Sequence, residues 1–204
     1  RSPDADLRLT ARRVIGPGGA QEIEVNERGH FVLPLAGCHN AINALAAIAV
    51  GRRMGLDDEA IAEGLAAAPR AVMRGAEEII TVDGGDVRLT NDAYNANPDS
   101  MAAGFETFLE TTDRHPGRRV VILGDMLELG PDAPELHARV GERVAMAGDR
   151  IALALFVGEL MGHAAATAAQ RLDAERVIHF DTVDEVTVRR VTELLQPGDA
   201  VLLS

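Results

Sequence analysis

The sequence contains no lysine; all 20 of its basic residues are arginine. Three chemistries are thereby excluded from this chain's own residues, because each needs a lysine amine: a phosphate-gripping P-loop, a Schiff base and a carbamylated lysine. Cysteine is nearly absent as well. Cys38 stands alone, so no internal disulfide and no CxxC metal site can form, which suits a reducing compartment. No apolar run approaches the ~18 residues of a membrane span, and Arg1-Ser2-Pro3-Asp4 lacks the apolar core of a signal peptide. A soluble, cytoplasmic protein without membrane insertion is the resulting expectation. Positive charge is scarce and scattered: 32 acidic residues face 20 basic ones, for a formal net charge of −12. Nucleic acids and anionic membranes need clustered cations to displace counterions, so neither is an expected partner. The six histidines show no HExxH or other ligand spacing, so no metal site is expected from this chain alone. Nor is there a GxGxxG fingerprint or a GxSxG elbow, which removes support for nicotinamide binding and for a serine hydrolase.

What is present divides in two. In residues 1–36 Leu7, Leu9 and Ala11 alternate with polar neighbours. Gly16-Pro17-Gly18-Gly19 then marks a hairpin turn, and Ile23 and Val25 resume the alternation. A second turn at Asn26-Glu27-Arg28-Gly29 leads into Phe31-Val32-Leu33. From Asn40, read as an N-cap, the period becomes helical through Ile42, Leu45, Ala46 and Ala49, and Gly55 ends the run. A second helix opens on Asp57-Asp58-Glu59, turns Ile61 and Leu65 inward and stops before Pro69. The stretch Pro69–Gly75 breaks both rhythms, so a boundary is placed near Arg74.

Beyond it strands and helices alternate. Strands are expected at Ile79–Val82, Val87–Asn91, Val120–Leu123, Ile151–Val157, Val177–Phe180 and Val201–Leu203. Amphipathic helices are expected around Met101, Phe105 and Leu109, around Leu136, Val140 and Val144, at Leu160–Leu172 and at Val186–Leu195. Short apolar strands separated by helices predict an α/β, Rossmann-like domain with a mostly parallel sheet covered on both faces. Ligands of such sheets sit beyond the carboxyl ends of the strands, and two loops there are unusually polar. In Thr90-Asn91-Asp92-Ala93-Tyr94-Asn95-Ala96-Asn97-Pro98, the Asn97-Pro98 pair suits a helix start, but capping leaves Asp92, Tyr94 and Asn95 unexplained. A carboxylate can take ribose hydroxyls, a ring can lie on a base and carboxamides read polar edges; turn chemistry is the plain alternative. In Gly124-Asp125-Met126-Leu127-Glu128-Leu129-Gly130, Asp125 could face a ligand's ammonium group or a metal, or merely be a helix-start or turn acid. His39, Asn40 and Asn43 near a helix N-terminus suit polar ligand atoms or plain capping. Arg74 could reach a phosphate across an interdomain cleft or be a solvated surface charge.

Taken in order, Gly37-Cys38-His39-Asn40 with Asn43-Ala44-Leu45-Ala46-Ala47, Met73-Arg74, Asn91–Met101 and Leu123–Gly130 resemble the Mur ligases. The resemblance spans essentially all of residues 30–204. It is nearest to the branch that joins D-alanyl-D-alanine to UDP-N-acetylmuramoyl-tripeptide, since the YNANP and GDMLELG stretches differ in other Mur ligases and in folylpolyglutamate synthases. It implies that residues 1–74 are the end of the central ATPase domain and 75–204 most of a Rossmann-like C-terminal domain that closes over the nucleotide and brings the amine substrate. It also implies an ADP-forming reaction through an acyl phosphate, with ATP and Mg2+. The P-loop, most Mg2+ ligands and the carbamylated lysine are expected before residue 1, and a Lys-Gly-Ser after Ser204. By motif, Asn40, with His39 and Asn43, would contact the adenine region, and Arg74 and Asp92 the phosphate and ribose. Tyr94, Asn95 and Asn97 would meet the nucleotide or substrate in the closed state, and Asp125 the dipeptide. No catalytic residue is implied within this chain, and a monomer is expected. Two other readings stay open: a non-catalytic nucleotide-binding or interaction module, and another amide ligase such as a folylpolyglutamate synthase.

Overall fold

A computed structural model describes residues 6–15, 19–69 and 75–204. The chain divides into two compact units, Arg1–Ala71 and Val72–Ser204. The first holds strands β1 (Leu9–Val14), β2 (Gln21–Val25) and β3 (Gly29–Leu33), followed by helices α1 (Cys38–Arg53) and α2 (Asp58–Ala66). The strands form an antiparallel meander in the order β1-β2-β3. Of the expected Gly16–Gly19 turn, Gly16, Pro17 and Gly18 lie outside the described residues, but Val14 pairs with Gln21 on either side of it. A three-residue turn, Asn26–Arg28, joins Val25 to its partner Gly29, and Asn26 and Glu27 in it adopt φ 54 and 60, a left-handed conformation uncommon outside glycine. Asn26 is held there by accepting from the Arg8 amide at 2.8 Å and donating to the Asp6 carbonyl at 2.8 Å.

Two details of this unit differ from the sequence reading. The alternation of Leu7, Leu9 and Ala11 ends at a bulge between Leu9 and Ala11. Leu7 and Leu9 pack on the core while Ala11 faces solvent, and Arg12 instead turns toward the sheet to donate to Gln21 Oε1 at 3.0 Å. An inserted residue reverses the side-chain phase of everything after it. Secondly, Asn40 is not the N-cap of α1. Gly37 is, at φ 87 and ψ 148, and Asn40 sits one turn in, donating to the Ala36 carbonyl at 2.7 Å. The buried stripe of α1 is Ala41, Ala44, Ile48 and Gly51, while Ile42 is 56% exposed. Small residues win this face because the helix lies close: a Cβ at Gly51 would press on Ile61 of α2. The end of α1 is as read. Gly55 at φ 85 donates to the Arg52 carbonyl and Leu56 to the Gly51 carbonyl, the paired bonds of a glycine-terminated helix.

The second unit comprises β4 (Ala76–Val82), β5 (Gly85–Asn91), α3 (Pro98–Thr111), β6 (Arg119–Gly124), α4 (Ala133–Ala147), β7 (Leu153–Val157), α5 (Met161–Ala168), β8 (Val177–Phe180), α6 (Glu185–Leu194) and β9 (Ala200–Leu203). Its six-stranded sheet runs β4-β5-β9-β6-β7-β8, parallel throughout except for the antiparallel β4–β5 pair. This is the mixed α/β fold with a mostly parallel sheet that the strand-helix alternation predicts. Alternate residues of the strands feed opposite faces. Val121, Leu123, Ala154, Phe156 and Leu202 join a core with Phe105, Phe108, Val140, Val144, Met161 and Ala164 of α3, α4 and α5. Val120, Leu153, Leu155 and Val201 join the other, which α6 meets through Val191 and Leu194. Crossovers α3, α4 and α5 advance along the sheet and α6 returns, so right-handed connections place α6 on the opposite face. Helix α6 turns Thr187 inward and leaves Val186 67% exposed, since its inward face is set by Val191 and Leu194.

Candidate functional site

Parallel strands bring their carboxyl ends to one edge of the sheet, and there the two polar loops lie on either side of β9. The Asp92 amide donates to the Leu203 carbonyl at 2.8 Å, and the Gly124 amide to the Ser204 carbonyl at 2.7 Å. With β9 between β5 and β6, strand spacing sets the two loops roughly 10 Å apart, on the scale of a nucleoside. Asp92 is half-buried and its carboxylate lies over Gly104 of α3, where a Cβ would run into Oδ2. Glycine in mid-helix is unfavourable relative to alanine, so a bare backbone here makes room for the carboxylate. Tyr94 (62% exposed) and Asn95 extend into solvent from the same loop. Asn97 takes the capping role: its Oδ1 accepts from the Ser100 amide at 2.9 Å and the Asp99 amide at 3.1 Å. Ser100 Oγ accepts from the Asn97 amide in return, and Pro98 follows as first helical residue.

Asp125 is likewise committed locally. Its Oδ1 accepts from the Met161 amide at 2.8 Å and its Oδ2 from the Leu160 amide at 3.3 Å, so a carboxylate from β6 occupies the positive end of α5. Gly158, at φ 121, leaves the space this needs; a Cβ there would collide with the carboxylate. The Asp125 side chain remains 22% exposed. Below it, His137 of α4 is fully buried, accepting from the Met126 amide at 3.0 Å and pairing with the Ala133 carbonyl at 2.7 Å. Sequence reasoning passed over His137 and Gly104. The signal for His137 was available: with Val140, Gly141 and Val144 it falls at i, i+3, i+4 and i+7, the buried stripe of α4.

His39, Asn40 and Asn43 stand in the first unit, on the first turns of α1; His39 and Asn43 are exposed and share a face at i, i+4 spacing. Arg74 lies outside the described residues. Among the described residues no three His, Cys, Asp or Glu side chains converge as a metal site, and no helix is long and apolar enough to cross a membrane.

Residues 77–204 match the family described as Mur ligase, glutamate ligase domain. The UDP-N-acetylmuramoyl-tripeptide--D-alanyl-D-alanine ligase of Bacillus subtilis is 35% identical over 172 residues, covering 84% of this chain and 36% of that protein. This chain therefore spans about a third of that relative's length. Among solved structures, MurF from Acinetobacter baumannii superposes with a TM-score of 0.76 at 24% identity, covering 99% of this chain and 42% of its own. MurF ligase from Thermotoga maritima, solved in complex with ADP, gives 0.67 at 20% identity, covering 97% and 42% respectively. Likeness at these identities shows the fold. The family match, extending over more than half of the 204 residues, settles membership: the chain belongs to the Mur ligases.

Proposed function

We propose that this chain is part of an ATP-dependent, ADP-forming ligase that joins D-alanyl-D-alanine to UDP-N-acetylmuramoyl-tripeptide in peptidoglycan synthesis. In that reaction the tripeptide's terminal carboxylate attacks the γ-phosphate of ATP, and the dipeptide amine then displaces phosphate from the acyl phosphate. Chemistry of this kind depends on positioning and on cations that neutralise developing charge. Residues 1–74 are assigned to the end of the central ATPase domain and 75–204 to the C-terminal domain. The observation that carries the reading is the flanking of β9 by the Asp92 and Asp125 loops at the edge where such sheets bind ligands. The name of the Bacillus subtilis relative and the ADP held by the Thermotoga maritima ligase support the substrate class.

Within it, Asp92 accepts hydrogen bonds from the ribose hydroxyls, and Tyr94 and Asn95 form the adjoining surface together with the Asn97 carboxamide nitrogen, its oxygen being held by the cap. His39, Asn40 and Asn43 serve the adenine region, Arg74 a phosphate. Asp125 offers its carboxylate to the dipeptide's ammonium. The described residues form no Mg2+ centre, and none of these roles passes through the ion. The test is ADP release by the intact ligase containing this chain. Turnover should require both UDP-N-acetylmuramoyl-tripeptide and D-alanyl-D-alanine, and release with glutamate and a folate in their place would overturn the assignment. Residues 1–204 alone, having no lysine to grip the γ-phosphate, should show no turnover.

A further inference from the structure

We propose that His137 is a positioning residue for the amine substrate: it fixes the base of the Gly124–Gly130 loop so that the loop's exposed tip keeps one orientation. Its role as a positioner of substrate rests on the ligase reading above; the anchoring itself does not. The Ala133 carbonyl can only accept, so Nδ1 carries the proton; the Met126 amide can only donate, so Nε2 is the acceptor. The imidazole is therefore neutral, with both nitrogens engaged and no solvent contact, which leaves it no part in proton transfer. Its effect is mechanical. Met126 is tied to α4 through His137, while the preceding Asp125, with Oδ1 4.0 Å from His137 Nε2, is tied to the start of α5. Consecutive residues are thus pinned to two different helices, and those helices touch directly where a Cβ at Gly141 would strike the Ala164 backbone.

Immediately beyond these anchors the chain does something unfavourable. Leu127 is 72% exposed and Glu128 adopts φ 62, a left-handed conformation that a non-glycine residue holds only when its surroundings impose it. The result is an apolar side chain beside a carboxylate, presented at the carboxyl edge of the sheet. That pairing fits a small dipeptide with methyl side chains and a terminal ammonium. Without the Met126 bond the backbone before Glu128 loses one of its two ties, and the left-handed residue relaxes.

The experiment compares His137→Leu, which keeps bulk without an acceptor, with His137→Gln, whose Oε1 can accept the Met126 amide, both in the intact ligase. His137→Leu should raise KM for D-alanyl-D-alanine about tenfold and leave KM for ATP and for the UDP-linked tripeptide within about twofold, with His137→Gln recovering most of the loss. Hydrogen exchange at the Met126 amide should be slow in the wild type and His137→Gln and at least about tenfold faster in His137→Leu. A parallel rise in all three KM values, or an unchanged dipeptide KM in folded His137→Leu, overturns the proposal. Should His137→Leu not fold, a freely exchanging Met126 amide in the wild type, or a wild-type dipeptide KM in His137→Gln despite a freed amide, does the same. If the wild-type ligase accepts a different amine, the functional reading fails while slow Met126 exchange still upholds the anchoring.

Discussion

The two edges of the six-stranded sheet meet opposite ends of the crossover helices with different side chains. At the amino edge arginines hold the carbonyls that end the helices. Arg118 donates to Leu194, Arg119 to Thr112 and Asp113, Arg150 to Leu109, and Arg176 to Gly148 and Ile151. At the carboxyl edge acids and an asparagine meet the helix starts: Asn97 on α3, Asp125 on α5, Asp184 on α6. Every crossover helix begins at the carboxyl edge and ends at the amino edge, so its dipole sorts the side chains in this way. An acid at the carboxyl edge is therefore not in itself a sign of ligand binding. Asp92 differs from its neighbours because its carboxylate lies against the middle of a helix, at Gly104, where there is no end to cap. The comparison separates the polar residues that meet helix ends from Asp92, whose carboxylate lies against a helix's middle.

Breaking the amino edge should have the largest effect on stability and none on substrates. Asp199 is 2% exposed and takes both arms of Arg118 at 2.9 and 2.7 Å and the Gln196 amide at 2.8 Å. Those bonds to Asp199 outweigh desolvation and raise the Arg118 pKa. Asp199→Ala should cost about 3 kcal/mol in denaturant unfolding of the intact protein, the low end for a broken buried pair because Arg118 retains some solvent. A changed KM for ATP in that variant would erase the division between the edges.

At the carboxyl edge the expected pattern is reversed. Asp92→Ala in the intact ligase should weaken ATP binding about tenfold by isothermal titration and leave the UDP-linked tripeptide nearly unaffected, with less than about 1 kcal/mol lost in unfolding. Equal loss for both ligands would count against the ribose role. Gly104→Ala sharpens the contrast further. Alanine is the better helix former by roughly 1 kcal/mol, yet its methyl displaces the Asp92 carboxylate. ATP affinity should fall several-fold while thermal stability holds or rises, and in an Asp92→Ala background the same change should leave ATP affinity alone. The smallest effect concerns Asp184, whose pKa is lowered chiefly by the Thr187 amide and then by the Thr182 hydroxyl. A depressed carboxylate contributes stability above its ordinary pKa of about 4 and loses it as pH falls through the lower folded value. Asp184→Asn, which keeps the cap, should give a shallower acid limb in unfolding measured from pH 5 to 2.

The strands of the second unit were legible because each is short, apolar and bracketed by turn residues; Val177–Phe180 is found with the bounds expected. So was the Asn97-Pro98 helix start, whose chemistry is local. Features that depend on a neighbour were not. The Leu9–Ala11 bulge and the inward face of α6 depend on the neighbouring strand and sheet, and Gly37, which starts α1 in place of Asn40, accepts a hydrogen bond from Gln21 of β2. At the site, Asp92 and Asp125 were picked out as residues, but Asp125's bonds to α5, the room Gly104 leaves and the bond from His137 to Met126 span separations that no local pattern records.

By itself the sequence determined the strand-helix rhythm, the absence of lysine chemistry and the two polar loops, because periodicity, composition and turn preference act over a few residues. Only the tertiary structure decided that those loops flank one strand and that one acid caps a helix while another rests on a glycine. Those outcomes arise from strand order and close packing, which bring together residues distant along the chain.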